Sequence, residues 1–182
     1  SHTGAVREVA QRSEVPCLKR VFSDAIDETK YVSSAIIATS LHEVGHGIPT
    51  KPAEDKEVEK RTGLGENQTM IEELKAWCSG VKAFLEVDLN APELQTVDTK
   101  TLAQAVIGAH LDYLKNKSSE PGSSGERYYL CGVAIITRLL DKNIIQKDGN
   151  KFALTNPEAA LGALREISDE ITQLYTANDA IP

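Results

Sequence analysis

The chain has 182 residues, enough for one well-buried domain and short for two. Hydrophobic residues make up 41% and charged residues 26%, an ordinary globular balance, while aromatics at 5% are so few that the core must be mostly aliphatic. A net charge of −7 without a basic stripe argues against a nucleic-acid surface, and no apolar run approaches the ~20 residues of a membrane span.

Nothing at the start reads as a signal peptide, so a cytoplasmic location is expected. The three cysteines, Cys17, Cys78 and Cys131, are odd in number and far apart. They form neither a disulfide framework nor a metal knuckle, and read as buried or free thiols.

Residues 1–28 scatter Val6, Val9, Val15, Leu18, Val21 and Ile26 among charges, a helical pattern with a break expected at Pro16. Tyr31 to His46 contains no breaker before Gly45 and is apolar on most sides, which predicts an interior helix ending at Gly47 ahead of Pro49. Residues 48–68 hold prolines, glycines and a dense charge run, a loop with one polar helical turn at 54–61. From Thr69 to Leu85 the apolar positions Ile71, Leu74, Cys78, Val81 and Leu85 step by three and four, an amphipathic helix.

A break around Pro92 separates that helix from another over Thr99 to Lys115. Residues 116–126, "NKSSEPGSSGE", read as a flexible linker, and Arg127 to Asp141 as an apolar helix. Asp148-Gly149 between short alternating runs predicts a β-hairpin, and Pro157 opens a last helix. The expected fold is mainly α: one compact helical domain over 1–182 with a single small hairpin in its C-terminal third. It divides into an N-terminal helical segment (1–28), metal-site helices (30–115), the linker, and a helix, hairpin and C-terminal helix (127–182).

Chemistry concentrates in "SLHEVGHG", Ser40 to Gly47. On a helix His42 and His46 share a face about 6 Å apart and can aim two imidazoles at one ion. Glu43, about 100° round the helix, reaches a water beside that ion without being a ligand, which is the logic of H-E-x-x-H. The competing reading is a pair of histidines satisfied by hydrogen bonds in the core, but ionisable groups on an interior helix need a reason to be there. A third ligand is required, with a fourth position open. Of Glu72 and Glu73, helical geometry turns Glu72 away from the apolar stripe towards water and sets Glu73 at the stripe's edge beside Met70, Trp77 and Gly80. Glu73 is therefore the expected third ligand. Two histidines and a glutamate from a second helix suit one zinc ion per chain and metal-assisted hydrolysis of an amide, with Glu43 as general base.

"LHEVGHG" followed by "EELKAWCSGVKAFL" resembles the dipeptidyl peptidase III family of zinc exopeptidases, which pairs an H-E-x-x-G-H-G segment with an E-E-C-R-A-E-C segment. "VAIITRLLDKNIIQKDG" is similar to the family's segment beyond the metal site. Matched motif to motif, the resemblance puts the histidine ligands on His42 and His46, the base on Glu43 and the glutamate ligand on Glu73. Three departures stand out: the histidine spacing is one residue shorter here, the loop between the motifs is shorter, and Trp77 replaces the final acid of E-E-C-R-A-E. The family also uses a histidine in a later helix to stabilise the transition state. The matching positions here are tyrosines, so the resemblance offers Tyr128 or Tyr129 for that role, and His110 is the other candidate.

The resemblance covers roughly residues 30–160, the metal-bearing lobe alone. It implies that a second domain or a partner chain completes the cleft and holds the substrate's amino end. The expected function is a zinc metallopeptidase acting on a peptide or small amide, with no nucleic-acid or membrane partner and with its substrate groove walled by the 48–68 loop. Two other readings stay open: a metal-holding scaffold without catalysis, and a hydrolase of a non-peptide amide.

Overall fold

The computed structural model describes residues 2–48, 68–87 and 97–177. Residues 49–67, with the predicted helical turn at 54–61, and residues 88–96 around Pro92 lie outside the described residues. In chain order the elements are α1 (His2–Val9), a π turn (Ala10–Glu14), α2 (Val15–Val21), α3 (Glu28–Gly47), α4 (Gln68–Glu86), α5 (Thr99–Asn116), α6 (Glu126–Asp141), β1 (Ile145–Asp148), β2 (Lys151–Leu154) and α7 (Pro157–Ala177). Among the described residues the fold is mainly helical with one antiparallel hairpin, as the sequence predicts. None of their helices is long and apolar enough to cross a membrane.

The break expected at Pro16 does not occur. Proline removes one backbone donor and crowds the preceding turn. The chain absorbs this upstream by widening into the π turn, where the Val15 N–H reaches back five residues to the Ala10 carbonyl. Helical structure then runs through Pro16 to Val21.

At the centre lie α4 and α5. Every residue from Glu73 to Val81 is buried, as is every residue from Thr101 to Gly108. The amphipathic stripe predicted for α4 is thus too narrow: α3, α6 and α7 all pack on this helix. Two of its buried polar residues, Lys75 and Ser79, are partnered accordingly. Lys75 Nζ lies 2.9 Å from Glu72 Oε2, and the hydroxyls of Ser79 and Ser168 meet at 3.1 Å. Glu72, expected to face water, is half-buried against α7, where Tyr175 Oη donates to its Oε1 at 3.2 Å.

The interior position predicted for α3 holds on one face only. Tyr31, Val32, Ala35, Ala38, His42 and Gly45 are buried, while Glu43 and Val44 are exposed. Asp27 caps its start, accepting from the backbone N–H groups of Thr29 and Lys30 at 3.1 Å each. Turns between α5 and α6 include a Gly122 N–H bond to Glu126 Oε2 at 2.7 Å. In the hairpin Asp148 pairs with Lys151, so the turn residues are Gly149 and Asn150, one position later than predicted. Gly149 has φ 60°, which suits the first central position of a two-residue turn. Cys78 and Cys131 are buried free thiols, and Cys17 is half-buried and free.

Candidate metal centre

Two glycines bring α3 and α4 together. A Cβ on Gly45 would sit 1.8 Å from the Ala76 carbonyl oxygen, and one on Gly80 would sit 1.9 Å from that of Leu41. Each helix thus presses its backbone into a gap that only glycine leaves on the other. In the sequence Gly45 reads only as the first possible breaker of α3, whose end is expected at Gly47, so this role was missed. A glycine inside a helical pattern, as Gly45 and Gly80 are, was the available signal of a packing role.

The close seam gathers the expected ligands. His42 Nε2 and His46 Nε2 lie 3.2 Å apart, and Glu73 Oε2 lies 3.5 Å from the first and 3.7 Å from the second. Two donors on a tetrahedral zinc, with bonds of about 2.0–2.1 Å, are separated by roughly 3.3–3.4 Å. All three observed separations fall close to that value. These residues form the group of potential metal ligands found among the described residues. His42 and Glu73 are buried, while His46 is partly open to solvent. Glu73 Oε2 is buried without a hydrogen-bond donor. A buried carboxylate oxygen in that condition calls for a cation.

Burial, then the neighbouring His46 and His110, pushes the His42 imidazole down to about 4. His42 is therefore neutral near pH 7 and keeps a lone pair for a metal. Burial pushes His110 down to about 4 as well. Its Nδ1 lies 2.7 Å from the Val106 carbonyl oxygen, which only accepts, so Nδ1 carries the proton. His110 is wholly buried behind Trp77 and does not line the cleft described next, which removes it from direct contact with a substrate there.

Beside His42 opens a cleft of about 340 Å³ whose walls include His42, Glu43, Trp77, Tyr113, Tyr128 and Glu14; His46 and Glu73 are not part of its lining. Glu43 and Tyr128, from separate helices, thus face one space, whereas Tyr129 is not part of its wall. Trp77 forms part of the floor, its ring 4.7 Å from that of His42, 4.8 Å from His110 and 6.3 Å from Tyr113. An acid here would have added a second buried charge next to Glu73; the indole shields the histidine from water instead.

The sequence reading also missed Arg127. Its Nε lies 3.5 Å from Glu73 Oε1, and its Nη2 donates to Tyr128 Oη at 3.2 Å. A lone cation heading an apolar helix was the available signal.

Glu14, at the end of the π turn, is a buried carboxyl that also lines this cleft, and Tyr31 Oη donates to its Oε2 at 2.8 Å. Burial raises it from 4.5 to about 7, with Asp112 adding to the rise. In the unfolded chain Glu14 ionises near 4.5, so its folded neutrality costs nothing below that pH. Stability is then lost as pH climbs towards 7. The histidines act with the opposite sign, since their unfolded forms bind protons between 6.5 and 4 that the folded forms refuse. Glu14→Gln should stabilise the metal-free protein at pH 8 by up to about 3 kcal/mol and leave it unchanged at pH 4. Urea titrations at the two pH values check this, and an equal effect at both would contradict it.

No family model, curated protein or solved structure significantly matches this chain, so the reading of the site rests on its own geometry and chemistry.

Proposed function

We propose that the chain is a zinc-dependent hydrolase of amide bonds, a peptide being the leading substrate class. The observation carrying this reading is the set of three donor separations, 3.2, 3.5 and 3.7 Å, around His42, His46 and Glu73. Those residues would hold the ion through two imidazole nitrogens and one carboxylate oxygen, a set that suits zinc and leaves a fourth position. When bound, zinc supplies Lewis-acid chemistry, acidifying water and polarising a carbonyl.

The chain's own residues do the rest. Glu43, exposed on the cleft wall beside His42, takes a proton from the attacking water and returns it to the leaving amine. Tyr128 Oη already accepts from Arg127, so its own proton is free for the oxygen on which negative charge develops. Trp77 keeps bulk water off the buried side of His42, which strengthens each of these interactions.

The test is cleavage of a mixed peptide library, read by mass spectrometry, with and without a chelator. Cleavage should be chelator-sensitive and should fail in Glu73→Ala. Glu72→Ala should retain it, because Glu72 faces Lys75 and Tyr175. Glu73→Ala should also weaken zinc retention far more than Glu72→Ala. A wild-type protein that holds zinc yet cleaves nothing would favour the metal-holding scaffold.

A further inference from the structure

Arg127 reaches two groups of the proposed centre at once. From the first turn of α6 its guanidinium lies over the Tyr128 ring, 4.8 Å from the centroid. Nη2 donates to Tyr128 Oη at 3.2 Å, while Nε lies 3.5 Å from Glu73 Oε1. The two oxygens of Glu73 are thereby divided: Oε2 faces the histidine pair and Oε1 faces the guanidinium. Arg127 Nε and Glu73 Oε2 are both buried without a hydrogen-bond partner. Contacts this loose commonly tighten once a site is filled.

We propose that Arg127 is the positioning residue of this centre, holding Glu73 so that only one of its oxygens meets the ion and holding the Tyr128 phenol with its proton free. The inference rests on the metal-hydrolase reading and deepens it. A planar guanidinium spans two acceptors at fixed spacing, which a lysine ammonium on a flexible stem does not. Without Arg127 the Glu73 carboxylate can swing to offer both oxygens or neither. Outer partners of metal ligands are typically worth 10–100-fold in metal affinity.

The test compares wild type, Arg127→Met, Arg127→Lys and Arg138→Met, using zinc and cobalt ions as probes. Arg138 sits on the same helix but pairs with Glu170 at 2.6 and 2.8 Å, so its variant controls for a lost ion pair on α6. Competition with a chromogenic chelator should show zinc bound about 10–100-fold more weakly in Arg127→Met and unchanged in Arg138→Met. Arg127→Lys should fall between them. The visible spectrum of bound cobalt should change in Arg127→Met, because the carboxylate coordinates differently; a merely structural role would leave it alone. Thermal melts of the metal-free proteins separate misfolding from lost affinity, and Arg127→Lys keeps the test decisive if Arg127→Met fails to fold. Arg127→Met or Arg127→Lys binding zinc as tightly as wild type, with the same cobalt spectrum, overturns this proposal alone. Wild type that binds neither ion overturns the hydrolase reading and this proposal with it.

Discussion

Glu43→Gln should retain zinc at the wild-type level and lose roughly 10²–10⁴-fold in turnover. Glutamine has almost the shape of glutamate but cannot take a proton. Glu43 is exposed on α3, so the change disturbs no core contact. Metal content and peptide cleavage measured on one preparation check this. Undiminished cleavage would move the general base elsewhere, and a parallel loss of zinc would make Glu43 part of the ion's support.

The largest structural effect is expected at the glycine seam. In Gly45→Ala the new methyl meets the Ala76 carbonyl at 1.8 Å, and in Gly80→Ala it meets that of Leu41 at 1.9 Å. Backbone atoms on both sides leave no flexible side chain to yield, so α3 and α4 must separate. Overpacking of this kind costs about 1–3 kcal/mol and at times more. Separation also carries Glu73 away from the histidines, so zinc should be lost even where folding survives. Gly162 in α7 has nothing within 4 Å of an added Cβ, so Gly162→Ala should stabilise by about 0.5–1 kcal/mol. Denaturant midpoints and zinc content of the three variants check the contrast. Gly45→Ala as benign as Gly162→Ala would refute the close seam.

Much of this was legible in the sequence because two periods are physical. The four-residue spacing of His42 and His46 puts them on one face of any helix, and the three-and-four step of Ile71, Leu74, Cys78 and Val81 selects Glu73 over Glu72. The fold class followed from the same patterning, and the hairpin from its turn residues. What stayed hidden depends on distant parts of the chain. The burial of α4 on its polar side comes from α7, some ninety residues later, and no local period reports it. The π turn before Pro16 is a choice among ways to accommodate a missing donor. Arg127 joins Glu73 only because α6 packs on α4, and Trp77 and Tyr128 share a cleft for the same kind of reason.

Zinc content of the purified chain, measured by plasma mass spectrometry after reconstitution and gel filtration, tests the centre most directly. About one zinc should stay with each wild-type chain, and none with His42→Ala or His46→Ala when both remain helical by circular dichroism. A wild-type chain that emerges without a stoichiometric divalent ion would contradict the proposed centre.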